Sequence, residues 1–480
     1  MIKRTVTALM ILAAAAACGD KIEPDPVLPP GPEEPDTNIT TPPVWPEEET
    51  GKEYIWDEDY IPEFHIKIKD TQWDKLLLAH DSNPDISEFV RCDVIFLRNE
   101  VRDTISNVGI RLFDNGDAGR PEGKAGEKHN KEAAKWNFSN YELNFMYFNN
   151  TESNSLRKVR SVFLKSCVND PSYARERYCY DLFRRAAIET VGRNIYCKVN
   201  IHVDSDENPA YLGIYQMIEP VDQSFIADRT KTFGNADGNL WKCGEGANLT
   251  SSSVSSGIDK GKGEDFTYTL ITNQNALSNA SAQLAGFMEK VKKLKNEEFR
   301  KWINEVCDVK LLLRTYAVIA TIGMWDDYWN TGNNFYLYFN STSDNGYKVY
   351  MIPYDFEMSL GNCKRNIMQD PGMQDPYNWG KNLNPLISRI LHFPEYREIY
   401  REALMTLILP EAYLFQHETS SAIISDLMYR VSFYTKNDTG INMSAKDRTA
   451  HWSNTPQYTL IGKNDNFFKI RTEAIRNYSE

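Results

Sequence analysis

The sequence predicts an α+β fold, with a sheet of mixed or antiparallel strands followed by a helical part. Three observations predict it. Short runs that alternate apolar and polar residues crowd residues 54–220, as in Phe64-His-Ile-Lys-Ile68. Longer stretches with apolar residues at helical spacing dominate residues 221–480. One strand hairpin, between Gly323 and Gly361, interrupts that helical part and carries two clusters of acids.

The chain opens on a leader. Lys3-Arg4 precedes an apolar run from Thr5 to Ala17, which ends in Ala15-Ala16-Ala17 directly before Cys18. This pattern predicts a signal peptide over residues 1–17, too short to span a bilayer. Small residues before a Cys resemble a bacterial lipobox, with Ala15 where Leu is commoner. The expected mature protein starts at a lipid-bearing Cys18. It is therefore extracytoplasmic, on the periplasmic or outer-surface face of a membrane in the cell envelope. Residues 18–53 are rich in Pro and acid, which cannot bury a core and predict a stiff, extended tether. The formal net charge of -13 argues against nucleic acid as a partner, since that requires a basic face.

Residues 54–480 read as one large domain, because no second Pro- or Ser-rich linker and no internal repeat follows. Its elements come in order. Phe64–Ile68 is a strand, and Thr71–His80 a helix with Trp73, Leu76 and Leu77 on one face. Strands are expected over Arg91–Leu97, Val108–Phe113, Tyr141–Phe148 and Ser161–Leu164. A long amphipathic helix is expected over Pro171–Val191, then a strand pair, Asn200–Val203 with Leu212–Glu219. Helices are expected over Gln283–Lys295, Asp308–Thr321, Asn384–Leu409, Ser420–Tyr434 and Asn466–Ile475. Of eight cysteines none forms a CxxC pair, so zinc-type spacing is absent. An extracytoplasmic site permits one or two disulfides without fixing their pairing.

The hairpin concentrates the chemistry. Asp326-Asp327 and Asn330, Asn333 and Asn334 precede the strand Phe335–Phe339. Asp355-Phe-Glu357 follows the strand Lys348–Ile352 and Pro353, with the turn Ser343-Asp-Asn-Gly346 between the strands. Carboxylates and amide oxygens gathered at strand ends suit Mg²⁺ that also holds phosphates. The alternative is that these residues are turn formers and solvated caps. A glycine-rich segment, residues 114–126, offers a loop that approaches phosphates or a flexible surface loop. It fits neither GxGxxG nor GxxxxGK[ST]. Lys124, Lys128, Lys131 and Lys135 are the cations in and after it.

The order of motifs resembles the CotH kinase family, which is related at the fold level to protein kinases. VGIRLF resembles its GVRLKGN strand, and YELNF its SYKIKF strand. DPSYARERYCYDLFRRA resembles DPSMLRDALAYELFR, and YLGIYQMIEPVDQSFIADR resembles GxYxLxExIDxxFLxxR. DGNLWK is similar to GNLYK, MWDDYWNTGNNFYLY to NWDSYxxNxHNYYLY, and VYMIPYDFEMSLG to FxxIPWDxDxSFG. The resemblance spans roughly Ile61 to Tyr478. It implies a kinase-like fold, ATP and Mg²⁺ or Mn²⁺ as cofactors, and Ser/Thr phosphorylation of secreted or surface proteins. It implies metal-binding and catalytic roles for Asp326 and Asp355, with Glu357 as a further metal ligand and Asn334 placing metal or phosphate. It places Glu219 and Asp222 as acids of the nucleotide site, one of them pairing with a lysine.

The departures from the pattern are equally specific. Met324 stands where the family has Asn, and Glu357 where it has Asp. The lysines near the SYKIKF strand are absent. Lys135 is the nearest, and Lys242 or Lys165 are the substitutes on other strands. Two functions follow. One is a tethered ATP–Mg²⁺ protein phosphotransferase in which Lys135 or Lys242 neutralises phosphate. The other is a catalytically lapsed member acting as a binding or structural module. A third, glycan handling on exposed rings, is weakened because most aromatics alternate within expected strands and so fill the core.

Overall fold

Alternating apolar residues pair the first seven strands into a closed barrel. They are β1 (Glu63–Ile68), β2 (Val90–Arg98), β3 (Val101–Leu112), β4 (Tyr141–Asn144), β5 (Ser161–Ser166), β6 (Asn194–Val203) and β7 (Ala210–Ile218). Their order is β1-β2-β3-β4-β5-β7-β6, and β6 closes onto β1 in parallel while every other neighbour is antiparallel. This computed structural model describes residues 51–82, 88–113, 119–250, 253–256, 266–341, 346–381, 383–441 and 444–480. The leader, Cys18, all but the last three tether residues, residues 114–118 of the glycine-rich segment and the tip of the acidic hairpin lie outside them. Residues 51–480 belong to one compact unit.

Two helices precede the middle of the barrel, α1 (Lys52–Ile55) and α2 (Asp70–Ser82). The α2 face carrying Trp73, Leu76 and Leu77 joins the barrel core with Phe64, Ile66, Val162, Leu164 and Leu212. The next helices are α3 (Arg175–Arg185), α4 (Gln223–Asp228), α5 (Thr230–Phe233), α6 (Leu277–Lys293), α7 (Asn296–Val306) and α8 (Val309–Ile322). Four more follow: α9 (Pro385–Ile390), α10 (Pro394–Ile408), α11 (His417–Ser432) and α12 (Phe467–Ser479).

A second sheet, ordered β12-β11-β8-β10-β9, lies among the helices. It comprises β8 (Asn239–Cys243), β9 (Val254–Ser256), β10 (Tyr268–Leu270), β11 (Phe335–Phe339) and β12 (Val349–Pro353), with only β9–β10 parallel. Period-two alternation gives it two buried faces. Trp241, Leu337, Phe339 and Met351 join the main helical core. Leu240, Tyr336, Tyr338 and Ile352 pack with Phe225 and Phe233 of α4 and α5.

The fold is α+β, with its strands divided between two sheets rather than gathered in one. Closing β6 onto β1 leaves the barrel no edge for further strands. Three elements are shorter than their sequence periodicity. The Pro171–Val191 helix is reduced to α3, because the Asp170 carboxylate accepts the backbone N–H of Ser172 at 3.0 Å and of Arg175 at 2.8 Å and makes a turn there. Ala187, with φ 53, ends its far side. The Asn384–Leu409 helix splits at Pro394, whose ring holds Phe393 extended. The Tyr141–Phe148 strand stops at Asn144, whose Oδ1 accepts the Met146 N–H at 3.1 Å.

All seven cysteines among the described residues are buried free thiols. No helix among those residues is long and apolar enough to cross a membrane.

The segment between β3 and β4 is tied down by a buried imidazole. His129 Nδ1 lies 2.9 Å from Glu122 Oε2 and its Nε2 3.0 Å from Asp206 Oδ1, with the side chain 3% exposed. Trp73 Nε1 donates to the same Glu122 oxygen at 2.8 Å. Burial opposes a charge on the ring, but the Glu122 and Asp206 carboxylates outweigh it and raise the pKa above 6.5. A raised folded pKa contributes stability that is full below the unfolded value and is lost as pH rises through the folded one. His129→Gln is therefore expected to cost more stability in urea unfolding at about pH 5.5 than at about pH 8.5. An equal cost at both would show that the ring is neutral.

Candidate functional site

Alternation along β5 sends Val162 and Leu164 into the barrel core and Lys165 out of it, toward the helices. There the Lys165 ammonium meets three carboxylates. Its Nζ lies 2.6 Å from Asp355 Oδ1, 3.1 Å from Glu176 Oε2 and 3.2 Å from Glu357 Oε2. The Lys165 side chain is 7% exposed and that of Glu176 1%. Glu176 sits in the first turn of α3. Its Oε1 accepts the Phe356 N–H at 3.2 Å, and its Oε2 accepts from Gln216 Nε2 at 3.4 Å. Gln216 is the β7 neighbour of Lys165 in register, so the barrel holds both sides of this pair. Burial raises the Glu176 and Glu357 carboxyls despite the attraction of Lys165, with the Asp355 charge adding to the rise.

The hairpin brings Asp326 of the first acidic cluster near Asp355 of the second. Pairing of Phe335 with Pro353 sets Asn334 beside Tyr354, whose N–H donates to the Asn334 carbonyl at 3.1 Å. Asn334 (φ 55) and Asp355 (φ 61) are both left-handed, a backbone state that persists away from glycine only where its surroundings hold it. Asp326 Oδ1 accepts from Thr331 Oγ1 at 2.7 Å, and its Oδ2 accepts from Asn334 Nδ2 at 3.1 Å. Burial raises the Asp326 pKa, and the charge of Asp355 raises it further.

Asp327 points elsewhere. It is 1% exposed, and burial pushes its carboxyl up to about 7. Its Oδ1 accepts from Asn330 N at 3.0 Å and its carbonyl from the Thr331 and Gly332 N–H groups at 3.0 Å. It shapes the loop that returns Thr331 and Asn334 to Asp326.

The Glu176, Asp355 and Glu357 ligand oxygens all lie within 4.8 Å of one another. This is an all-oxygen, anionic donor set that fits a hard divalent cation such as Mg²⁺ or Mn²⁺. Above it the cleft has an apolar wall. Phe113 and Phe163 stack with centroids 4.2 Å apart, beside Ile218 and Val221.

The predicted residues separate into two groups. Asp326, Asp355, Glu357 and Asn334 converge. Lys242, on β8, lines the cleft with its Nζ 5.6 Å from the Tyr354 ring centroid. Glu219 also lines it, but is paired to Arg229 Nη2 at 2.6 Å rather than to a lysine. Asp222 caps α4 by accepting the Phe225 N–H at 3.0 Å. Lys135 is exposed on the segment before β4 and is not among the residues that line the cleft. The cation of the cluster is Lys165, and its helix partner is Glu176, an acid the sequence reading did not single out. The signal for Glu176 lay in the helix motif itself, where it sits in the first turn. Met324 is fully buried in the helical core, and its carbonyl accepts from Trp379 Nε1 at 2.9 Å.

A family model described as CotH kinase protein matches residues 128–459. A search of curated proteins finds no match.

Proposed function

The chain belongs to the CotH kinase family, and we propose that it is an ATP- and divalent-metal-dependent phosphotransferase acting on Ser or Thr of secreted or surface proteins. One observation carries this reading. A strand lysine, Lys165, is paired at once with a helix glutamate, Glu176, and with the hairpin aspartate Asp355. Protein kinases use that combination: a strand lysine on the phosphates, a helix glutamate that orients it, and an aspartate that holds Mg²⁺. The barrel with α3 corresponds to the strand-rich lobe, and the hairpin belongs to the other side of the cleft.

The roles follow from chemistry. Lys165 neutralises phosphate and Glu176 orients it. Asp355 and Glu357 hold the metal, which supplies charge neutralisation at the transferring phosphoryl group. Asp326, oriented by Thr331 and Asn334, takes the proton of the acceptor hydroxyl. The nucleobase rests against Phe113, Phe163 and Ile218, and Lys242 stands at the cleft wall as a second cation. The basic start, apolar run and Cys18 support an extracytoplasmic location, anchored in a membrane by lipid and tethered through residues 18–53.

A catalytically lapsed binding module is the second reading. It is favoured by the buried apolar Met324, which removes a polar side chain from the family's metal-binding motif. Melting temperature with ATP and Mg²⁺ or Mn²⁺ at about 1 mM tests the proposal. A ligand at a hundred times its Kd stabilises the folded state by about 2.7 kcal/mol. No rise in melting temperature would sink the nucleotide site, whereas a rise without phosphoryl transfer selects the lapsed form.

A further inference from the structure

Lys165 sits where the three candidate metal ligands converge. One ammonium is within 3.2 Å of an oxygen from each of Asp355, Glu176 and Glu357, and those ligand oxygens lie within 4.8 Å of one another. A divalent ion bound by the same oxygens would lie within a few ångströms of that ammonium. At such a distance two cations repel strongly in a poorly solvated site. The second oxygens of Glu357 and Glu176 are already engaged. Glu357 Oε1 accepts from Asn169 Nδ2 at 3.3 Å, and Glu176 Oε1 accepts the Phe356 N–H at 3.2 Å. Glu357 is also where this chain departs from the family pattern, which has the shorter Asp. The extra methylene lets its oxygen join the other two on the lysine.

We propose that Lys165 is the resting occupant of the metal position, so that a divalent ion enters only as the lysine leaves Asp355 and Glu357 for a phosphate. This rests on the phosphotransferase reading above. The consequence is a site closed to free metal and opened by nucleotide. The phosphates offer Lys165 a replacement anion, and Asp355 and Glu357 become available together while Glu176 keeps its hold on the ammonium. Metal and nucleotide then favour each other's binding by the same factor.

Mn²⁺ alone, followed by electron paramagnetic resonance, tests this on the full chain. Lys165→Met is expected to bind Mn²⁺ at least about tenfold more tightly than the unaltered protein, the scale of an ordinary coupling between sites. Equal or weaker binding by the variant overturns the proposal. Should Lys165→Met fail to fold, Lys165→Gln, whose amide still donates to the carboxylates without a charge, carries the same comparison. A second titration adds a non-hydrolysable ATP analogue. If the unaltered protein ignores the analogue while the variant still gains Mn²⁺, the occupancy of the metal position stands and the phosphotransferase reading falls.

Discussion

Asp355→Asn is expected to lower metal-dependent phosphoryl transfer by at least about 10³-fold, the scale of losing a principal electrostatic contact to the transition state. Asn is the informative replacement. Asp355 holds a left-handed backbone, φ 61, which Asn tolerates better than most residues. The amide keeps the shape and the hairpin end while removing the charge. It also frees Lys165 from its shortest contact, 2.6 Å. The loss should therefore appear in transfer of a labelled γ-phosphate and leave the urea midpoint nearly unchanged. Transfer within tenfold of the unaltered protein would show that Asp355 does not hold the metal. A large fall in stability would mean that the carboxylate serves the fold first.

Arg471→Met is expected to have the opposite profile, costing about 3–5 kcal/mol of stability, as when a buried charged network is broken. Arg471 on α12 is 0% exposed. Its Nε donates to the Ala320 carbonyl at 3.1 Å, and its Nη1 donates to the carbonyls of Gln374 and Gly372. The guanidinium also stacks 5.0 Å from the centroid of the Trp379 ring. Burial lowers its pKa to about 10, so the charge survives at neutral pH. Ala320 lies in the last turn of α8, whose negative dipole end welcomes a cation. Three residues past α8 the Asp326 loop begins, so this arginine supports the base of the site. Methionine fills the volume but removes the guanidinium donor from the Gly372 and Gln374 carbonyls, while the Ala320 carbonyl keeps the Gly323 N–H. Urea unfolding should show the loss, with nucleotide affinity retained where the variant is still folded. A cost below about 1 kcal/mol would mean that water replaces the guanidinium.

Local rules made much of the fold legible. Period-two alternation marked β1, β5 and the β11–β12 hairpin, and helical spacing placed Trp73, Leu76 and Leu77 together on α2. Pro394 marked a helix break that periodicity alone passed over. Barrel closure was not legible, because β1 and β6 are far apart in sequence and nothing in either strand names the other. The site divides in the same way. Asp326 and Asp355 were legible because both flank one hairpin, whose pairing is local. Lys165 and Glu176 were not fixed, because their meeting depends on β5 pairing with β7 and on α3 docking against the hairpin. The sequence pointed to Lys135, before β4, whereas the lysine that meets the acidic cluster is Lys165 on the adjacent strand. Tyr141 pairs with Leu164, one residue before Lys165.

On the proposed function Lys165, and no other lysine, receives the phosphates of a nucleotide. An acyl phosphate of ATP transfers its acyl group to whichever amine lies at the phosphates, and peptide mass spectrometry reads the acceptor directly. Acylation of Lys165 is expected, protected by excess ATP with Mg²⁺. ATP-protected acylation of Lys242 or Lys135 instead, or of no lysine at all, would contradict it.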